Sequence, residues 1–111
     1  MPITTAQLAA IRYVLQSKVN NLAAHVTAMS RGGTHVEVSH NDKDPFNGCS
    51  ANEVEHRLLD SGAAWARVRV EHICDVPARM HVVAIFPHGL TEVMAALRGS
   101  ETVSPTASNN P

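Results

Sequence analysis

Aromatic residues are scarce in this chain of 111 residues, which has two phenylalanines, one tyrosine and one tryptophan. Its core must therefore be built mainly from aliphatic side chains and alanine. Cysteine is also scarce, because Cys49 and Cys74 are the only two. A domain of this length buries enough apolar surface to fold without a disulfide or a metal, so we expect a single domain with no structural metal and no cofactor.

Long apolar runs are absent from the sequence. A membrane-spanning helix needs about 20 consecutive apolar residues, and no segment approaches that length. No secretory signal pattern is present either, so we expect a cytoplasmic protein with reduced cysteines and no membrane partner. The amino-terminal segment contains no acidic residue before Glu37, which is typical of organelle transit peptides, but its cations are too few for one.

Familiar catalytic and nucleotide-binding motifs are missing too. The sequence contains no glycine-rich phosphate loop, no GxSxG, no HExxH and no CxxC. Its net charge of −1 gives no electrostatic reason for binding nucleic acid. Arg67 and Arg69 form a small basic patch, but Glu71 and Asp75 interrupt it, and we expect no nucleic-acid partner.

Residues 4–31 form the most regular stretch of the chain. Apolar residues recur there at spacings of three and four, which predicts one helix of roughly 36–40 Å. A threonine can cap its start and Gly32–Gly33 can end it. Asn20–Asn21 are poor helix-interior residues, and a break there would give a helical hairpin instead.

This predicted helix is longer than a compact domain of this size is wide. Part of its apolar stripe then needs cover from outside the domain, which a second copy would supply. The sequence therefore predicts a homodimer through the amino-terminal helix, with interface candidates Leu8, Leu15, Leu22 and Met29.

Three segments have the patterns of β-strands. Residues 34–40 and 65–75 alternate between apolar and polar side chains, whereas 80–86 is apolar on both faces. A proline-containing turn at 76–79 joins the last two segments. We therefore predict a three-stranded sheet in the order 34–40, 80–86, 65–75, with the central strand antiparallel to both neighbours.

Two shorter helices complete the predicted fold. Ser50 and Glu53 have the spacing of a capping box for a helix over 51–61, and a second helix over 89–98 ends at Gly99. Residues 100–111 lack apolar periodicity and are predicted to be a disordered tail. The predicted class is α+β, one domain over 1–99, with a long amino-terminal helix and these two helices packed on the sheet.

Seven histidines are the one compositional peculiarity. Imidazole and carboxylate groups are common ligands and acid–base catalysts, which makes six residues candidates for ligand binding. They are His40, Asp42, Asp44, His56, His72 and His81. No metal motif fits their spacing, so two alternatives stay open: a solvated Asp/Asn turn in the loop 41–49, and a partly wet position for His72 near the end of the sheet.

The sequence favours a non-catalytic interaction or regulatory module, homodimeric through its amino-terminal helix and binding a protein partner. The absence of a catalytic motif supports this interpretation over an enzyme. The alternative is a small metal- or ligand-binding protein, or an enzyme, that uses the His/Asp-rich segment 40–56.

Overall fold

The computed structural model describes residues 2–16, 22–41 and 45–102. Its helices are α1 (Thr5–Leu15), α2 (Leu22–His25), α3 (Ala51–Asp60) and α4 (Leu90–Thr102). Its strands are β1 (Val26–Ala28), β2 (Thr34–His40), β3 (Trp65–Ile73) and β4 (Val76–Phe86). In this part of the chain, no helix has both the length and the apolar character to span a membrane.

The strands form one antiparallel sheet of four strands in the order β1-β2-β4-β3. The α+β class and the predicted order of the three longer strands are confirmed, whereas the sheet size is wrong because β1 adds a fourth strand. Strand β4 is central, as its two apolar faces predict. Met80 and Val82 face the core, and the alternate residues His81 and Val83 are half-buried on the other face.

The prediction of one continuous helix over residues 4–31 is wrong. Helix α1 ends at Leu15, where Gln16 has a positive φ of 50°, and the chain enters β1 at Val26. Asn20–Asn21 lie outside the described residues. The spacing of apolar residues predicted a helix here because Val26 fits its three-and-four periodicity. In the structure Val26 is instead a buried strand residue opposite Val36. A β-branched side chain suits that strand position.

The turn between β3 and β4 also differs from the prediction. It lies at Cys74–Asp75, whose φ values of 52° and 66° are those of a type I′ hairpin turn. Pro77 belongs to β4, where it pairs with His72 beside a β-bulge. Of the strands that the structure describes, only β3 pairs with β4 at this end, so a proline without an N–H group is tolerated.

The carboxyl-terminal helix is longer than predicted. Helix α4 runs through Gly99 to Thr102 instead of ending at 98, so one glycine near its end does not stop it. The rest of the predicted disordered tail, residues 103–111, lies outside the described residues.

Helices α1, α3 and α4 pack on one face of the sheet. Their buried side chains, among them Ile11, Leu58 and Leu97, form one apolar cluster with the inward residues of β2 and β4. The opposite face, here called the open face, carries the alternate residues of the strands. They are exposed or half-buried, and include Thr27, His35, Glu37, Ser39, Trp65, Arg67, Arg69, His81, Val83 and Ile85.

The side-chain amide of Gln7 joins three separate segments at one edge of this core. Its Nε2 donates to the Gly62 carbonyl at 3.0 Å, and its Oε1 accepts from the Thr4 N–H at 3.0 Å. The same Oε1 lies 2.8 Å from Nε2 of buried His88. Gly62 has a φ of +109°, and a Cβ there would lie 2.7 Å from the Gln7 side chain. The helix α1 cap, the turn after α3 and the segment after β4 therefore depend on one another.

We expect Gln7→Ala to lower the free energy of unfolding by about 2–4 kcal/mol, because it leaves several polar groups without their partner. Urea unfolding followed by circular dichroism measures this loss. Gln7→Glu tests the donor separately, since it keeps an acceptor for Thr4 and His88 but places a carboxylate oxygen against the Gly62 carbonyl oxygen. It should also be destabilised, because a buried carboxylate without a donor there is costly. A Gln7→Ala protein as stable as the wild type would show that this contact is dispensable.

Candidate functional site

The open face brings polar side chains of β2 and β4 together. Residues two apart on a strand share a face, so Glu37 and Ser39 of β2 project from the same side of the sheet. The β2–β4 register places Ser39 opposite His81 and Glu37 opposite Val83. The sheet thus assembles a serine, a histidine and a glutamate from two neighbouring strands.

These three side chains form a continuous chain of polar contacts. Ser39 Oγ lies 2.6 Å from His81 Nδ1, and His81 Nε2 lies 3.0 Å from Glu37 Oε2. The other carboxylate oxygen of Glu37 is 3.6 Å from His35 Nε2. The His81 side chain is only 16% exposed, whereas that of Glu37 is 46% exposed. The imidazole of His81 is therefore held on both sides and largely sheltered from water.

The contacts of His81 select one tautomer of its neutral ring. An ionised carboxylate can only accept hydrogen bonds, so the ring nitrogen facing Glu37 carries the hydrogen. In the neutral imidazole Nδ1 is then an acceptor, and the Ser39 hydroxyl donates to it. This arrangement aims a basic nitrogen at a serine hydroxyl.

A cavity of about 340 Å³ opens beside this array. We call it the open-face pocket, and its walls are Ala24, His25, Thr27, His35, Glu37, Ser39 and His81. It forms where β1 begins at Val26. The next residue back, His25, contacts the Glu37 carbonyl oxygen through Nδ1 at 3.1 Å instead of continuing the ladder. The pocket is therefore a consequence of the short edge strand.

The residues predicted within segment 40–56 do not come together as a site. His40 is buried, with its Nε2 2.9 Å from the Val14 carbonyl oxygen and its ring edge-on to Phe46, which is a core role. His56 is exposed on α3. Asp42 and Asp44 lie outside the described residues.

The strand candidates divide between two places. His81 belongs to the open-face pocket, whereas His72 is exposed near the β3–β4 turn. The bulge between Glu71 and His72 shifts the register, and Cys74 lies exposed in the turn. His72 and Cys74 are therefore both exposed near the hairpin turn and do not join His81 in a site. Among the described residues, no group of three or more His, Cys, Asp or Glu side chains is arranged to hold a metal ion.

His35, Glu37 and Ser39 are site residues that were not among the candidates predicted from the sequence. Their shared position on the polar face of strand 34–40 was the available signal. Single-strand alternation does not reveal the cross-strand partner, however, because register depends on how the strands pair. Only the pairing of Ser39 with His81 turns this polar face into a site.

The predicted interface residues occupy different environments. Leu15 is completely buried in the core of its own chain. Leu8 and Leu22 are half-buried and pack against that core, and Met29 is half-buried in the segment after β1. The Leu15 side chain therefore packs within its own chain and has no surface exposed to a second copy.

A second cavity, of about 450 Å³, lies between α1 and α3. We call it the α1–α3 groove, and its walls are Ala6, Ala9, Ala10, Tyr13, Arg57, Leu58, Asp60 and Ser61. The Tyr13 hydroxyl is buried and has no hydrogen-bond partner among the described residues. Burial, reinforced by the nearby Cys49 thiol, raises the pKa of Tyr13. The groove thus combines small apolar side chains with one poorly satisfied polar group.

We expect Tyr13→Phe to raise the free energy of unfolding by up to about 1 kcal/mol, because it removes a buried hydroxyl without a partner. The raised pKa adds a pH dependence. The folded protein keeps the phenol proton longer than the unfolded chain, so wild-type stability should fall as the pH rises above the ordinary value of 10.0. Urea unfolding at neutral and alkaline pH measures both effects. A destabilised variant, or an alkaline loss equal in both proteins, would contradict this account.

Comparisons with known proteins give no relative from which a role for the pocket or the groove could be transferred. No protein-family model, curated protein or solved structure matches the chain.

Proposed function

We propose that this protein is an interaction module that self-associates by docking its β3–β4 hairpin into the α1–α3 groove of a second copy. The observation that carries this proposal is a pair of exposed aliphatic side chains at the hairpin tip. Ile73 is 54% exposed and Val76 is 59% exposed, on either side of the Cys74–Asp75 turn. Clustered exposed apolar side chains commonly mark contact surfaces.

The hairpin tip extends beyond the rest of the sheet. Within the described residues, strand β2 pairs with β4 only from Met80 to Phe86, so residues 71–79 form a ribbon of two strands. The Glu71–Arg79 ion pair, 3.5 Å long, crosses the base of this ribbon. An isolated two-stranded ribbon is only marginally stable in water, and docking on a partner would support it.

The α1–α3 groove has the chemistry to receive the tip of a second copy. Ala6 and Ala9 give it a shallow apolar wall, and Arg57 and Asp60 add one charge of each sign. Asp75 at the tip supplies an anion that can pair with Arg57, next to the two aliphatic side chains. Two copies can exchange tips reciprocally about a two-fold axis, which gives a closed homodimer. Helix α1 would then contribute its alanine face to the interface, and the Leu15 side chain would stay in the core.

We expect the double variant Ile73→Asp/Val76→Asp to be monomeric at concentrations where the wild type is a dimer. Two charges at the tip oppose burial in an apolar groove, and both side chains are exposed, so the fold should persist. Sedimentation velocity over a concentration series measures the dissociation. Ala9→Arg, which fills the groove from the exposed side of α1, should have the same effect.

Trp65→Thr is the matched control, because Trp65 is also a large exposed apolar residue, 44% exposed, but lies on the open face. It should leave the dimer unchanged. A wild-type protein that stays monomeric at high concentration would contradict the proposal. A tip variant that remains dimeric would show that the copies meet elsewhere.

A further inference from the structure

The serine, histidine and glutamate of the open-face pocket have the arrangement of a nucleophilic catalytic site, and we propose that they hydrolyse small carboxylic esters with Ser39 as the nucleophile. His81 is the general base, and Glu37 is a positioning residue that holds the imidazole. This activity goes beyond the proposed self-association and departs from the sequence-based expectation of a non-catalytic module.

The contacts around His81 satisfy the requirements of such a site. The nucleophile and the base are 2.6 Å apart, and a carboxylate oxygen holds the second ring nitrogen at 3.0 Å. A hydroxyl becomes an effective nucleophile when an adjacent base can take its proton, and the base works best when a third group orients it. In many such sites the two ring nitrogens have the opposite partners, but the chemistry requires only an acceptor nitrogen at the hydroxyl.

Strand geometry brings Ser39 and His81 together without strain. The Met29 N–H bonds the Gly33 carbonyl, and the Glu37 carbonyl faces His25, so odd-numbered residues of β2 direct their backbone polar groups toward β1. Ser39 and His81 are therefore a non-hydrogen-bonded cross-strand pair. In such pairs the side chains approach most closely.

The same alternation supplies a donor for the developing oxyanion. The Ser39 N–H points toward the β1 side, but β1 begins at Val26, the partner of Val36, and does not extend to this position. The open-face pocket occupies this edge, with Ala24 and His25 as walls. A backbone N–H beside the attacking oxygen is a typical oxyanion donor.

The proposed reaction consumes one ester and one water. Ser39 Oγ forms a bond to the ester carbonyl carbon while its proton moves to His81 Nδ1, and the carbonyl electron pair moves to the oxygen facing the Ser39 N–H. The bond from carbon to the alkoxy oxygen then breaks, and His81 returns the proton to the departing alcohol. Water next attacks the acyl-serine, His81 takes its proton, and the acid leaves as Ser39 Oγ regains a proton.

The pocket walls indicate the substrate class. Its volume of about 340 Å³ is at the small end of the usual range for ligand sites, which favours a short acyl group. Among the described residues, none of the side chains that line it is a lysine or an arginine, and Arg69, which pairs with His81 in the strand register, is not part of its wall. Neutral esters of short carboxylic acids fit both properties.

A fluorophosphonate probe and 4-nitrophenyl acetate test the proposal directly. The probe should add once per chain, and peptide mass mapping should locate it on Ser39. Ser39→Ala should abolish labelling, and Ser39→Ala and His81→Gln should each lower kcat/KM for the ester at least about 100-fold. Ser30→Ala is the matched control, because Ser30 is an exposed serine in a turn, and it should change neither readout.

Glu37→Gln tests the positioning role. It should lower labelling and change the pH profile of kcat/KM, and nitrogen NMR should show that His81 no longer keeps its hydrogen on Nε2. A purely structural role for Glu37 would leave the tautomer unchanged.

Two results would overturn the esterase proposal. One is a wild-type protein that the probe does not label, and the other is a Ser39→Ala protein that hydrolyses the ester as fast as the wild type, which would assign the rate to exposed imidazoles. The monomeric Ile73→Asp/Val76→Asp protein should still be labelled at Ser39. Loss of labelling and loss of dimer formation are therefore separate outcomes.

Discussion

The buried amide of Gln7 is the contact on which the arrangement of the helices most depends. Helices α1, α3 and α4 come from distant parts of the sequence, and apolar packing on the sheet does not by itself set their relative positions. A hydrogen bond does, because it requires specific distances and directions. The Gln7 side chain meets the Gly62 carbonyl and His88 within one such set of bonds, and Gly62 leaves room for it. The walls of the α1–α3 groove are held in place by this contact.

The register between β2 and β4 determines which side chains meet on the open face, as the Gln7 contact determines how the helices are placed. It places Ser39 beside His81, and it directs His40 into the core against the Val14 carbonyl. A shift by one residue would exchange the two faces of β2, which would bury Glu37 and expose Val38. The large cost of burying an unpaired carboxylate protects this register. The alternation that buries one face of β2 in the core therefore also keeps Glu37 and Ser39 on the open face.

Much of the fold could be predicted because local patterns and tertiary packing agree in most of the chain. The two-faced apolar pattern of 80–86 indicated the central strand, and the Ser50–Glu53 spacing indicated the α3 cap, which forms. The amino-terminal segment was misread because Val26 continues a helical spacing that a strand can also satisfy. The site was only partly predictable, since His81 was a candidate but its contacts depend on strand pairing.

The β-bulge between Glu71 and His72 allows the hairpin tip to change direction without a change in the packing of the core. Beyond it the strands twist and pair in a different register, so the bulge decides which way Ile73 and Val76 point. An insertion or deletion at this place would re-aim the tip while the cluster beneath the sheet kept its packing. Under the proposed docking of the tip, changes in assembly could then accumulate during evolution without passing through unstable folds, because the tip and the core lie in different segments of the chain.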